Sequence, residues 1–303
     1  MEKTGIALFA YKRPEHTKRV LEGLKANNIR HLYVFIDGPK REEDRPLVEE
    51  VNALVEAVDW CRTQIIRSQN NKGLAESEIC GISHVLQRHE RIIVLEDDCV
   101  PAADFIDFME QCFDRYQHEP KVMNITGYAL PIKILRRYPY DVYFTYRSGS
   151  FGQGIWKRSW QFFKKDPQDF HRIENSRELR RKLDRAGRDL YFMFKQQMEG
   201  KLDSVGIWWA WSIVKNDGVC VNPVISRIQS IGHDGTGVHC DNTDKYNNKS
   251  HQAGLNIKLK FPENLEVNKT INRRFDEFIH GTSWERLRLK GQKLMKLILR
   301  EKS

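Results

Sequence analysis

Arg91-Ile92-Ile93-Val94-Leu95-Glu96-Asp97-Asp98-Cys99-Val100-Pro101 is the stretch that decides how this 303-residue chain folds. A short apolar run bounded by polar residues reads as a buried strand, and here three adjacent acids follow it directly. Working backwards, the same kind of run occurs at residues 5–10 (GIALFA), 32–36 (LYVFI) and 63–67 (TQIIR). Between the runs lie helical stripes: Pro14 with Val20, Leu21 and Leu24, then residues 47–58, then residues 74–86. Three strand-helix units feeding a fourth strand predict a parallel sheet with helices on its faces, because parallel strands need crossover connections. Ligands of such sheets bind beyond the carboxyl ends of the strands.

The residues just past each strand are therefore the candidate site: Tyr11-Lys12-Arg13-Pro14, Asp37-Gly38-Pro39, residues 68–73 (SQNNKG) and Glu96-Asp97-Asp98. Three consecutive acids after a buried strand repel one another unless a cation or hydrogen-bond donors offset the cost. A hard divalent ion, Mg²⁺ or Mn²⁺, takes one or two carboxylates plus phosphate oxygens and fits that demand. The competing reading makes the acids complements to the dipole of the helix after Pro101, a role Asp104 can already fill as its N-terminal acid. Asp37 can accept from a base or ribose, or simply open an Asp-Gly-Pro turn. Arg13 and Lys72 lie on loops at the same sheet end, where each either meets phosphates or stays a solvated cation.

Beyond Asp104 the pattern loosens. A helix over 104–116, strands near 122–125 and 142–146, and a Gly/Trp-rich segment at 150–160 are expected. Two basic helical stretches between 174 and 199, an aromatic helix near 207–215 and a strand at Val219-Cys220-Val221-Asn222-Pro223 follow. Gly/Trp packing in 150–160 serves a ligand or the interior equally well, and Trp208, Trp209 and Trp211 read as core. In 232–240 a Gly-rich loop carries His233, Asp234 and His239; His239 can close over a metal-diphosphate as a further ligand, or the segment is an ordinary surface loop.

Composition narrows the class. With 40% hydrophobic and 30% charged residues the chain is neither disordered nor fibrous, and no apolar run reaches the length of a membrane span. No signal peptide or transmembrane anchor is expected. The six cysteines show no CxxC or zinc spacing, which predicts reduced, buried thiols in a cytoplasmic protein. The net charge of +9 calls for an anionic partner. More than half of it falls in residues 284–302, with seven Lys and Arg against two Glu. On a helix, Trp284, Leu287, Gly291, Leu294, Met295 and Ile298 share one stripe beside those cations. That is the pattern of an amphipathic segment lying on an anionic membrane, or of a terminal helix packed on the domain with a solvated basic face.

The chain resembles the GT-A glycosyltransferases, and within them the N-acetylglucosaminyltransferase I family and related bacterial sugar transferases of surface-polysaccharide synthesis. The likeness is carried by Glu96-Asp97-Asp98 with Pro101, Asp104 and Phe105, by the Gly/Trp segment at 151–160, and by Cys220-Val221-Asn222-Pro223-Val224-Ile225-Ser226-Arg227 with the Gly-Val-His loop that follows. It spans about residues 5–250.

This resemblance implies an α/β GT-A (Rossmann-like) fold: a mixed, mostly parallel sheet flanked by helices. Residues 1–118 form the nucleotide-sugar half, 119–255 the acceptor and catalytic half, and 256–303 a basic helical tail. It implies that Asp98 binds Mn²⁺ (or Mg²⁺) bridging the donor diphosphate, that Glu96 and Asp97 hydrogen-bond the donor sugar and ribose, that Asp37 reads uracil or ribose, and that Tyr11 and Arg13 lie near the nucleotide. The expected activity is inverting transfer from a nucleotide-sugar, a UDP-sugar by resemblance, to a glycan or lipid-linked acceptor, with no nucleic-acid partner. The chain departs from the family at the base, because 205–211 (VGIWWAW) carries no acid. Asp203 is the nearest carboxylate, and Asp234 the reserve. A nucleotidyltransferase would share the sheet and acids but lacks support in the first turn, Ala10 to His16. A non-enzymatic basic membrane- or nucleic-acid-binding protein would leave the acid triplet unexplained.

Overall fold

The computed structural model describes residues 3–134, 137–237, 242–246 and 258–280. The predicted units are present as β1 (Thr4–Ala10), α1 (Pro14–Ala26), β2 (His31–Ile36), α2 (Arg45–Glu56), β3 (Arg62–Arg67), α3 (Leu74–Leu86) and β4 (Arg91–Glu96). β1 pairs in parallel with both β2 and β4, and β2 in parallel with β3.

The second half contributes β5 (Cys99–Pro101), α4 (Phe105–Arg115), β6 (Val122–Thr126), β7 (Val142–Thr145), β8 (Gln153–Trp156), α5 (Lys157–Trp160), α6 (Pro167–Glu174), α7 (Arg177–Asp184), α8 (Leu190–Met198), α9 (Val205–Lys215), β9 (Val219–Pro223), β10 (Ile228–Ser230) and α10 (Lys269–His280). One eight-stranded sheet runs through both halves in the order β3-β2-β1-β4-β8-β6-β9-β7. β8 lies antiparallel between β4 and β6, and β7 closes the edge antiparallel to β9. The chain is thus α/β, with a mixed, mostly parallel sheet flanked by helices.

Strand alternation sorts the helices. Ile6, Leu8 and Ala10 of β1 share a core with α1, α2 and α4, whereas Ala7 and Phe9 face α3 and α9. Trp208, Trp209 and Trp211 are all buried, as the sequence suggested. Trp209 Nε1 donates to Asn124 and Trp211 Nε1 to Asp169, so two indoles carry satisfied polar atoms into the interior. α6 to α9 form a separate apolar cluster of their own.

Several expectations need correction. The Gly/Trp segment contains strand β8: its glycines hide the period-2 signal, yet Gly154 lets Phe113 pack close to the sheet. The two helical stretches expected between 174 and 199 are α7 and α8, but a further helix, α6, precedes them from Pro167 and was not expected. Asp104 precedes α4 but makes no side-chain cap; its carboxylate pairs with Arg227 instead. The five described cysteines are unpaired, but Cys80 is exposed and Cys61 half-buried, so not all are buried thiols. No helix among the described residues is long and apolar enough to cross a membrane. Of the expected tail, 258–262 packs on the core through Leu259 and Phe261, and α10 follows; residues 284–302 lie outside the described residues.

Candidate active site

The acids sit where β4 gives way to β5. β5 turns back to pair antiparallel with β10, setting Ser230 opposite Cys99. The chain leaving β10 therefore passes over the acids: Ile231 N–H donates to the Asp98 carbonyl at 3.0 Å, and a β-carbon on Gly232 would collide with the Asp98 carboxylate. Glycine is required here for close approach of backbone to carboxylate.

Arg13, from the loop after β1, reaches into the acids. Its Nη2 donates both to Asp97 Oδ1 and, at 2.9 Å, to Asp98 Oδ2. Burial works against the arginine charge, but the two carboxylates outweigh it and raise its pKa. Asp97 also accepts the Tyr11 backbone N–H; burial raises its pKa, and Arg13 opposes that rise. Asp98 Oδ1 faces the Cys99 thiol at 3.4 Å. For Glu96, burial first, then the charges of Glu78, Asp98 and Asp97, push the carboxyl well above its usual range.

Glu78 is the residue that sequence reasoning missed. It lies on α3 in the buried stripe with Ala75, Ile82 and Val85, 6% exposed, and its Oε1 has no hydrogen-bond partner. Burial and then the Asp98 charge push its pKa up to about 7. A glutamate inside an apolar helical stripe was the signal available.

Asp37 is buried at the end of β2. Oδ1 accepts from Gly38 N–H and Lys72 N–H at 2.9 Å each, and Oδ2 from Gly73 N–H at 2.9 Å. α3 has no side-chain cap of its own, and Gly73 before it takes φ +79°. Asp37 thus binds the amides that lead into α3 from across the sheet edge. Lys72 is exposed beyond this turn. Tyr11 is turned to Asp44: its hydroxyl donates to Asp44 Oδ2 at 2.9 Å and accepts from Lys40 N–H at 2.8 Å. Burial foremost raises the Tyr11 pKa. Lys12 pairs with the same Asp44 at 2.6 Å, which holds that carboxyl below its usual range.

The two candidate bases differ. Asp203 is exposed, with Lys165 Nζ at 3.4 Å and Gln197 Nε2 at 3.2 Å, and its Oδ2 would lie 3.8 Å from a β-carbon on Gly73. That puts it beside the start of α3. Asp234 accepts from the N–H and hydroxyl of Thr236, which lower its pKa, and meets His16 Nε2 at 3.1 Å. His16 also touches the Ile231 carbonyl at 3.3 Å, tying the chain after β10 to α1. His233 stacks on Tyr246, and neither of its ring nitrogens has a partner. His239 lies outside the described residues.

Among the described residues no three His, Cys, Asp or Glu side chains converge to hold a metal ion by themselves. What is present is a set of hard carboxylate oxygens, four acids against one arginine, with the Glu78 Oε1 and Ser230 Oγ atoms buried and unpaired. That donor set fits a hard divalent cation whose remaining ligands come from phosphate oxygens.

No protein-family profile matches the chain, and no curated protein matches it. Among solved structures it is similar to a mannosyltransferase from Pyrobaculum calidifontis in complex with GDP-mannose and Mn²⁺, at 9% identity and TM-score 0.39, covering 70% of this chain and 69% of that one. A 4-diphosphocytidyl-2C-methyl-D-erythritol synthase from Anaerococcus prevotii gives 9% identity and 0.37, covering 75% and 92%. Mouse xyloside xylosyltransferase 1, in its apo form, gives 13% and 0.35, covering 71% and 82%. Likenesses of this size assign no function.

Proposed function

We propose that this protein is a metal-dependent inverting glycosyltransferase of GT-A type that moves a sugar from a nucleotide-sugar, by resemblance a UDP-sugar, to a hydroxyl of a glycan or lipid-linked acceptor. The observation that carries the reading is the acid group Glu96, Asp97 and Asp98 at the end of a parallel strand, threaded by Arg13 and covered by Gly232. Asp98, with Asp97 beside it, would hold Mn²⁺ or Mg²⁺, and a cation bound there stabilises charge on the departing diphosphate. Arg13 and Lys72 bind phosphate oxygens from the same side. Glu96 and Asp97 orient the donor sugar and ribose, and Asp37 shapes the nucleotide side by holding the turn before α3.

In the chemical step the acceptor oxygen bonds to the anomeric carbon, the bond from that carbon to the diphosphate oxygen breaks, and the acceptor proton passes to a carboxylate. Asp203 serves as this base in preference to Asp234, whose basicity is lowered by Thr236. The resemblance supports a role in bacterial surface polysaccharide synthesis at the cytoplasmic face of the membrane, with residues 284–302 meeting anionic lipid.

The test is a thermal-shift and turnover screen of nucleotide-sugars with and without Mn²⁺. A UDP-sugar should raise the midpoint only with the cation and release UDP slowly without acceptor. Release of pyrophosphate from sugar-phosphate and UTP would instead indicate a nucleotidyltransferase, and no binding of any UDP-sugar would overturn the proposal.

A further inference from the structure

Arg13 holds the acids in an unusual way. One amino nitrogen, Nη2, serves Asp97 and Asp98 together, while Nη1 is buried with no partner. Arginine usually meets a carboxylate with two parallel N–H bonds. Here one donor nitrogen bridges two carboxylates, a position between the two acids that a small cation would also take. The Asp98 oxygens have little else to offer: Oδ1 faces the Cys99 thiol, and Gly232 presses on the Oδ2 side. A divalent ion about 2 Å from Oδ2 would lie within a few ångströms of Nη2, where the two like charges repel.

We propose that Arg13 competes with the divalent cation for Asp97 and Asp98, and transfers to the nucleotide's phosphates when the cation takes the carboxylates. This rests on the glycosyltransferase reading and deepens it. The orphaned Nη1 supplies the physical reason: a buried guanidinium N–H without an acceptor is costly, and a phosphate oxygen relieves that cost. The backbone is positioned for a side-chain exchange alone. Pro14 starts α1, and the Arg13 carbonyl is pinned by both the N–H and the hydroxyl of buried Thr17, at 2.9 Å each. Cation and diphosphate therefore bind as a coupled pair: each removes an obstacle to the other, so that the free acids do not capture cation before donor arrives. Arg13 in this scheme binds the acids in the empty site and phosphate in the loaded one.

The experiment is Mn²⁺ titration followed by electron paramagnetic resonance, on the full chain and on Arg13→Gln, with and without UDP. Without UDP the variant should bind Mn²⁺ about tenfold more tightly than the wild type, a typical size for such coupling. UDP should then tighten Mn²⁺ binding strongly in the wild type and only weakly in the variant. Arg13→Met, of matched length, repeats the measurement should the glutamine variant fold poorly. Equal or weaker Mn²⁺ binding by folded Arg13 variants without UDP overturns the exchange while leaving the proposed activity standing. No Mn²⁺ binding by any protein, with or without UDP, removes both.

Discussion

Arg227 and Asp104, 123 positions apart, form a buried ion pair with Nε 3.2 Å from Oδ2, at 3% and 5% exposure. Arg227 also accepts the Ala102 N–H at 2.8 Å and donates its own N–H to the Gly127 carbonyl at 2.7 Å. It therefore fastens the start of β10 to the start of α4, and β10 leads into Gly232 above Asp98. Removing one partner of such a pair strands the other as a buried charge. Arg227→Met should cost about 3–5 kcal/mol in urea unfolding, and adding Asp104→Leu should restore most of it. Equal stability of the single and double variants would show that the pair is not what fastens the two elements.

Asp37→Asn replaces an acceptor oxygen with an N–H group facing backbone N–H donors of Lys72 or Gly73. A loss of about 1–3 kcal/mol is expected, with faster amide exchange at Lys72, Gly73 and the first turn of α3. Unchanged exchange there would mean that the carboxylate does not hold the turn.

Glu78 sets a pH dependence in metal-free protein. Its native pKa, raised to about 7 chiefly by burial, means the folded state binds its proton more tightly than the unfolded state does. That contribution is fully present below the ordinary glutamate range and is lost as pH rises through about 7. Glu78→Gln, neutral throughout, should flatten the fall and exceed the wild type in unfolding free energy above neutral pH, in EDTA. Parallel pH profiles for the two proteins would refute the burial argument.

Asp203→Asn should lower the transfer rate constant by about 10²–10⁴-fold with the donor KM nearly unchanged, as expected for loss of a general base. Near-normal transfer with unaltered acceptor affinity would place the base elsewhere.

A chain ending after Gly281 should lose binding to vesicles containing anionic lipid while keeping turnover of a soluble acceptor, because seven of the cations lie in 284–302. Vesicle binding that survives truncation would locate the membrane contact elsewhere.

The first four strands and three helices were legible to within two residues at each end, because the strands are apolar runs of strand length and the helices carry a one-sided apolar stripe. β8, β5 and β10 were not: a four-residue glycine-containing strand and two three-residue strands carry too few alternations to register. Of the site, the polar residues after each parallel strand could be named in advance, since topology alone puts those loops on one edge. Their partners could not. Tyr11 turned out to face Asp44, Asp37 the amides before α3, and Asp104 Arg227.

By itself, then, the order of apolar periods determined that this is an α/β protein with acids and cations gathered at one sheet edge. Only the tertiary structure decided which charges meet: that Arg13 bridges Asp97 and Asp98, that Gly232 closes on Asp98, and that Glu78 sits unpaired beside them. Strand and helix periods depend on burial, a property each segment writes into its own residues. Charge pairing depends on which loops the folded sheet brings within a few ångströms, and no local sequence carries that distance.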